Sequence, residues 1–255
     1  MDIGAYYQQI DIFKNIDFDY TNHSYKISGK NALSVTETLK SFVRKFDSVY
    51  WAEKKSLELN VSPAEILKKW ETNSKISKIK GTLIHSYIEA IFKNDEFIYP
   101  EDFIINEFGF DPVQDAFNTI IPQVDKFMTD ITDKMYSVAT EFIIGDMDAL
   151  ICGTVDQIFY NKKSDKLEIW DWKTNKEMKT ISRYFHLPPL IHIPDTELDR
   201  YSLQLSLYKE ILEKNTKIEF GNSYLAWFNE NNNSYQIFKA NDYKKEAKLI
   251  LNIKG

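Results

Sequence analysis

The sequence predicts an α/β protein in which helices flank a central mixed β-sheet. Three observations carry that expectation. Residues 150–160 and 166–172 are dense in Val, Ile, Phe, Tyr and Trp, and Asn161-Lys162-Lys163-Ser164-Asp165 between them has turn composition. That pattern reads as a β-hairpin with a five-residue loop. Residues 81–92 place Ile84, Ile88 and Ile91/Phe92 at helical spacing, and residues 203–212 do the same with Leu203, Leu207, Ile211 and Leu212. Extended and helical periods interleaved along one chain suit a sheet covered by helices.

The 255 residues, 43% of them hydrophobic, read as a single domain over 1–255, with an N-terminal hairpin-and-helix region to about residue 80. Residues 5–13 suggest a short helix. Residues 17–20 and 24–27 flank Thr21-Asn22-His23 as a short hairpin, with His23 a local hydrogen-bonding residue and Ser28-Gly29-Lys30 closing it. Ser34 opens a helix in which Glu37 has capping-box spacing and Leu39, Phe42, Val43 and Phe46 continue the period. Ser62 and Pro63 open the next as cap and first position. Lys68 and Lys69 lie on it, and Lys75, Lys78 and Lys80 lead into a separate helix beginning at Gly81. Residues 92–110 read as extended or looping. Residues 112–129 are helical in pattern, with Pro122 expected to kink or split the helix after Ile121. Residues 135–144 form a strand beside the hairpin, and Asp146 and Asp148 read as simple turn residues. Residues 223–228 and 234–238 suggest two further strands, and residues 242–251 a terminal helix.

Charge and cysteine content narrow the classes. The net charge of -6 does not suit a protein that coats nucleic acid. It hides a division, however: residues 40–80 hold ten Lys and Arg against five Asp and Glu, whereas residues 101–156 hold two against twelve. A metal-dependent enzyme acting on a polyanion has use for both regions, although two solvated faces would look the same. Cys152 is the single cysteine, which excludes an intrachain disulfide and a four-cysteine iron–sulfur cluster. No apolar run reaches membrane-spanning length and the first residues lack a secretion signal, so a reducing cytoplasm is expected, with no membrane partner.

Asp156 lies mid-strand and Asp171 near the end of the next, both costly places for an unpaired carboxylate. A divalent cation bound by both removes that penalty. Lys173, two residues beyond Asp171, emerges on the same strand face while Trp172 points away. Two carboxylates and an ammonium at a strand end suit metal-assisted phosphodiester hydrolysis, although strand-end charges in a loose ion pair are the plainer reading of any isolated Asp-x-Lys. His85 and Glu89 are one helical turn apart and can face one site, and Glu141 on the preceding strand can reach it. An imidazole among carboxylates fits Mn²⁺ and does not exclude Mg²⁺. Ser34 and Thr36 at a helix start can hold a phosphate, a role that capping explains equally well. Lys68, Lys69, Lys78 and Lys80, near Trp51 and Trp70, offer a single strand both charge and rings, and core packing is the alternative for each Trp.

Taken in order, Gly81-Thr82-Leu83-Ile84-His85, Glu141, Gly153-Thr154-Val155-Asp156, Asp171-Trp172-Lys173-Thr174 and Gln204-Leu205-Ser206-Leu207-Tyr208 resemble the motifs of the PD-(D/E)XK nuclease superfamily, in its RecB-like exonuclease branch. Residues 17–39 also resemble the N-termini of mitochondrial and phage-type single-strand exonucleases. The resemblance implies a restriction-endonuclease-like core and a metal-dependent DNA exonuclease acting on single strands or free ends, in a bacterial or phage-infected cell beside replication or recombination proteins. It implies His85, Asp156, Asp171 and the carbonyl of Trp172 as ligands of Mg²⁺ or Mn²⁺, with Glu141 contributing. Lys173 then orients or deprotonates the attacking water. Gln204 and Tyr208 brace the site and touch substrate, and Thr174 borders the nucleic acid.

The chain departs from some relatives by lacking cluster cysteines and by an insertion over about residues 175–200. That insertion, with Tyr184, Phe185, His186 and His192, is read as an ordered flap or partner-binding loop near the site mouth. His186 and His192 have no recognisable metal spacing. Competing expectations are a structure-dependent endonuclease and a non-catalytic nucleic-acid-binding recombination protein on the same fold.

Overall fold

Eight strands join one mixed sheet in the computed structural model, which describes residues 9–19, 22 and 24–254. They are β1 (Ile16–Asp19), β2 (Ser24–Ile27), β3 (Lys30–Ser34), β4 (Met135–Asp146), β5 (Ile151–Asn161), β6 (Lys166–Lys173), β7 (Phe220–Trp227) and β8 (Gln236–Lys239). The order is β1-β2-β3-β5-β6-β7-β8, and β4 pairs with β5 along its whole length. Pairings β3–β5 and β6–β7 are parallel and the others antiparallel. Residues 5–8 of the N-terminal helix expected over residues 5–13, and the turn residue His23, fall outside the described residues; residues 11–15 form a 3-10 turn.

The helices are α1 (Val35–Lys40), α2 (Ser48–Leu59), α3 (Pro63–Lys93), α4 (Glu101–Phe108), α5 (Gln114–Thr132), α6 (Glu197–Asn215) and α7 (Lys244–Lys254). Two apolar layers hold them to the sheet. Ile151, Val155, Ile169 and Leu225 pack with Val35 of α1, with Leu203, Leu207 and Ile211 of α6 and with Ile250 of α7. Phe159, Trp170, Trp172 and Ala226 pack with Ile84 and Ile88 of α3, Ile104 of α4 and Phe127 of α5. Alternation along β6 thus sends Ile169 to one layer and both indoles to the other. No helix of the described residues is long and apolar enough to cross a membrane.

Local chemistry sets the helix ends. Ser34 Oγ accepts the Glu37 N–H at 2.9 Å, and Ser62 with Glu65 completes a capping box behind Pro63. Several boundaries differ from those the sequence suggested. α3 runs unbroken for 31 residues through Gly81, because Ile76 and Ile79 before that glycine and Leu83, Ile84 and Ile88 after it pack into the same apolar layer, between a capped start and Asn94 in the left-handed region. A side chain at Gly81 would meet only Thr174 Oγ1, at an ordinary 3.5 Å, so that glycine marks no break. α4 replaces the expected loop; it buries Ile104 and stops at Gly109 with φ 78°. Pro122 does not split α5, since Ile120, Val124, Phe127 and Ile131 hold both halves against the sheet. α1 ends at Lys40, short of the Phe46 that the periodicity had included.

Asp146 is no mere turn residue. It is fully buried, takes the N–H groups of Asp148 and Ala149 on Oδ1 at 3.1 and 2.8 Å, and meets Lys214 Nζ at 2.7 Å on Oδ2. The segment after β6 is ordered, and its last residues, from Glu197, already belong to α6. Leu190 and Ile193 lie in the core, the Leu187 N–H donates to the Phe42 carbonyl, and the His186 N–H donates to that of Ile193.

Candidate active site

The site grows from a fork in the sheet. β4 occupies one edge of β5, while β3 and β6 divide the other, pairing with residues 151–152 and 157–161 respectively. No described strand pairs with residues 153–156 on that second edge. Asp156 stands at the point of divergence, and its Oδ2 accepts the Trp172 N–H at 2.7 Å, a side chain taking the place of a missing ladder bond. Gly153, at the same opening, lies under Tyr208: a Cβ there would collide with the phenol ring. Thr154 is bonded to Tyr25 on β2, with 2.9 Å between the two hydroxyl oxygens.

Glu141 enters from β4. The register pairing Thr140 with Gln157 and Phe142 with Val155 sets it opposite Asp156, and its φ of 49° is rare for a residue with a side chain. Such backbone strain is of order 1–3 kcal/mol and concentrates at functional positions. α3 delivers His85 from the facing layer. Its Nδ1 is 3.7 Å from Glu141 Oε1 and 3.6 Å from Asp156 Oδ2, and its Nε2 lies 3.1 Å from the Trp172 carbonyl. One ligand atom from each of His85, Glu141 and Asp156 falls within 4.8 Å of the other two. Asp171 is outside that triad; its Oδ2 pairs with Lys173 Nζ at 2.5 Å, and the same ammonium sits 4.5 Å from the centroid of the Tyr201 ring. Glu89 is ion-paired to Lys93 and shares a small cavity with Glu141.

Burial raises the Asp156 carboxyl, and Glu141 adds to the rise, while His85 and Lys173 offset only part of it. Asp171 is pushed up to about 6, by burial first and against the pull of Lys173. Burial alone would lower His85, but Asp156 and then Glu141 outweigh it and bring the imidazole to about 9. Three carboxylates thus share two cationic side chains in a desolvated pocket. A nitrogen and several carboxylate oxygens converging with negative charge to spare fit a divalent cation of the Mn²⁺ or Mg²⁺ kind.

The remaining residues singled out by sequence divide into several groups. Gln204 Nε2 donates to the Tyr208 hydroxyl at 2.9 Å, and Tyr208 is buried, its phenol well above the usual value through burial and then Asp171. Thr174 and the exposed Lys78 border a cleft of about 560 Å³ with Lys173, His85, Ser74 and Tyr201. Lys80 borders it too, yet is buried and held by Glu230 at 2.8 and 2.9 Å, so it is not a free phosphate contact. Ser34 spends its hydroxyl on the α1 cap. Thr36 is exposed beside Gln204 at a separate cavity of about 200 Å³. Lys68 and Lys69 are exposed near the start of α3 and do not border the cleft. The histidines of the insertion are taken up elsewhere: His186 Nδ1 lies 3.1 Å from the Ile193 carbonyl, and His192 Nε2 lies 2.8 Å from Glu246.

Sequence reasoning missed Tyr201 and Glu230. The first had a signal, since it precedes Gln204 by three residues and shares its helix face. The second had none, lying 150 residues from Lys80.

No family model matches this chain, and no curated protein matches it. Among solved structures, the chain is similar to one described as the crystal structure of SSO0001, with 13% identity, a TM-score of 0.33, and coverage of 69% of this chain and 83% of that one. That likeness is too slight to bear on fold or activity.

Proposed function

We propose that the protein is a divalent-metal-dependent deoxyribonuclease with a restriction-endonuclease-like core, of the RecB-like branch of PD-(D/E)XK nucleases, working as an exonuclease on single-stranded DNA or DNA ends. The observation that carries this reading is the convergence of His85, Glu141 and Asp156 where β3 and β6 part along β5, with Asp171 paired to Lys173 beside them, and with His85 and Lys173 at the wall of an open cleft. His85, Glu141 and Asp156, together with Asp171 and the Trp172 carbonyl, are the groups that would hold Mg²⁺ or Mn²⁺. Such a cation supplies Lewis acidity, neutralising charge on a phosphate and lowering the pKa of water.

The chain's own residues do the rest. Lys173 is fixed between Asp171 and the Tyr201 ring, so its ammonium presents a preorganised positive charge to a phosphate in the cleft. The Trp172 N–H locks the Asp156 rotamer, and the contact of His85 Nε2 with the Trp172 carbonyl leaves Nδ1 facing the carboxylates. Tyr208 and Gln204 stiffen the floor under Gly153. Water attacks in line, without a covalent enzyme intermediate. The cellular setting that goes with this reading is cytoplasmic, beside proteins of replication or recombination.

The test uses end-labelled linear single- and double-stranded DNA and closed circles, incubated with Mg²⁺, Mn²⁺ or EDTA. Linear DNA is expected to shorten from its ends, circles to persist, and activity to vanish in EDTA and in Asp171→Ala. Hydrolysis undiminished in Asp171→Ala would sink the reading. Cut circles would move it to a structure-dependent endonuclease, and binding without hydrolysis to a recombination protein.

A further inference from the structure

α2 is built inside out. Its inner stripe against α3 is Ser48, Ala52 and Ser56, small residues at i, i+4 and i+8, of which Ala52 is fully buried. Its exposed surface carries Val49, Tyr50, Trp51 and Leu57, with Phe46 just before the helix. Phe46, Tyr50 and Trp51 are 66%, 50% and 42% exposed. An amphipathic helix ordinarily does the reverse, and contiguous exposed rings mark a surface with a partner.

Charge identifies the partner. Lys54 Nζ lies 5.2 Å from the Trp51 ring centroid and 5.6 Å from that of Tyr50. Lys45 and Lys55 are exposed nearby, interspersed with exposed Asp47, Glu53 and Glu58 so that α2 itself is neutral. The net charge of +5 over residues 40–80 comes from its flanks, from Lys40 and Arg44 before it and from the lysines of α3. Rings interleaved with ammonium groups suit a ligand with flat π-faces strung on a polyanion, which is single-stranded nucleic acid. A protein partner would gain from the rings but not from the cations, unless it were itself strongly acidic.

The surface also leads to the cleft. The Phe46 ring is 5.7 Å, centroid to centroid, from that of Trp70 on α3. From Trp70 the same helix presents Asn73, Ser74, Ser77 and Lys78 to the cleft before reaching His85. Fifteen residues of helix separate Trp70 from His85, about 22 Å at the usual rise.

We infer that α2 and the adjoining Phe46–Trp70 pair form a stacking platform for single-stranded nucleic acid, from which the strand runs along α3 into the cleft. Bases stack on Phe46, Tyr50 and Trp51, and Lys45, Lys54 and Lys55 meet the phosphates. This inference rests on the proposed nucleic-acid substrate, but not on its hydrolysis.

The experiment separates the two. Fluorescence anisotropy of a labelled oligothymidylate, long enough to span platform and cleft, is measured in EDTA with the full chain and with a Phe46→Ala/Tyr50→Ala/Trp51→Ala variant. Circular dichroism and thermal melting establish that the variant is folded, as its surface positions lead one to expect. Affinity is expected to fall about a hundredfold or more, at roughly fivefold or greater for each of the three lost stacks. An abasic oligonucleotide of equal length should bind the wild type weakly and discriminate little between the two proteins. Metal-dependent cleavage of a thymidine phosphodiester too short to reach α2 should be equal in both. If the wild type fails on that short ester while the binding difference stands, the hydrolytic reading falls and the platform survives. Equal oligonucleotide binding by the two proteins overturns the platform. So does a loss confined to self-association in sedimentation, which would make α2 a contact between copies.

Discussion

Asp146 and Asp156 are buried carboxylates on neighbouring strands, β4 and β5, and their surroundings drive them in opposite directions. For Asp146, burial pushes the carboxyl up, but Lys214 and then the Ala149 N–H outweigh it, leaving it below the usual carboxylate range. For Asp156, burial is only partly offset by His85 and Lys173, Glu141 works against them, and the carboxyl stays above that range. One carboxylate has its lone pairs filled by the chain and fastens β4 to α6. The other is crowded with its own kind at an opening in the sheet. A buried charge that the protein satisfies is a structural device; one left wanting counter-charge is an invitation to a ligand.

The sharpest break of this comparison is a pair of substitutions. Asp156→Asn keeps an oxygen for the Trp172 N–H, so the unfolding free energy from urea titration should change by less than about 1 kcal/mol, while the proposed metal-dependent hydrolysis should fall on the order of 10³-fold or more. Asp146→Ala should do the opposite. It should leave two N–H groups and part of Lys214 without partners and cost about 3 kcal/mol, read from denaturant unfolding, with the proposed hydrolysis retained by the protein that stays folded. Equal stability losses in the two variants would erase the distinction.

Cation binding gives the next effect. Mn²⁺ at a hundred times its dissociation constant should stabilise the wild type by about 2.7 kcal/mol, a rise of several degrees in melting temperature. Asp146→Ala should keep that increment, and His85→Ala should lose it.

Acid then probes the filled site. Because folding depresses the Asp146 pKa, its stabilisation is complete above the unfolded value of about 4 and disappears as pH falls through the lower folded value. The gap in stability between wild type and Asp146→Ala should therefore be constant at neutral pH and close only in that acid window. A gap that narrowed near neutrality would assign the effect to another group.

The smallest effect concerns Glu141. Glycine accepts φ 49° without penalty, so Glu141→Gly should gain about 1 kcal/mol or less while losing cation-dependent stabilisation. A net loss of stability would mean that the carboxylate supports the fold.

Local rules made much of this molecule readable. The β5–β6 hairpin, the Ser34 and Ser62 caps and the α6 stripe depend on neighbours within a few residues, and the structure has them where composition placed them. Asp171 and Lys173 share a strand face simply because the side-chain period is two. What escaped was decided at a distance. Pro122 stays inside a helix because the apolar layer on either side of it outweighs a lost backbone bond, and Gly81 starts nothing because the stripe continues past it. The turn composition around Asp146 concealed Lys214, which reaches it from another helix. Glu141's backbone angle and Lys80's attachment to Glu230 are products of assembly that no short window contains.

Gly153 and Tyr208 carry a last consequence. The ring fills the volume that any side chain at 153 would need, so the two positions form a lock cut for a single key. Enlarging one demands shrinking the other: Gly153→Ala alone should wedge β5 away from α6, whereas Gly153→Ala with Tyr208→Leu should recover part of the lost packing. Drift at either residue is thereby tied to compensation at its mate, and the sheet opening that receives Asp156 keeps its width.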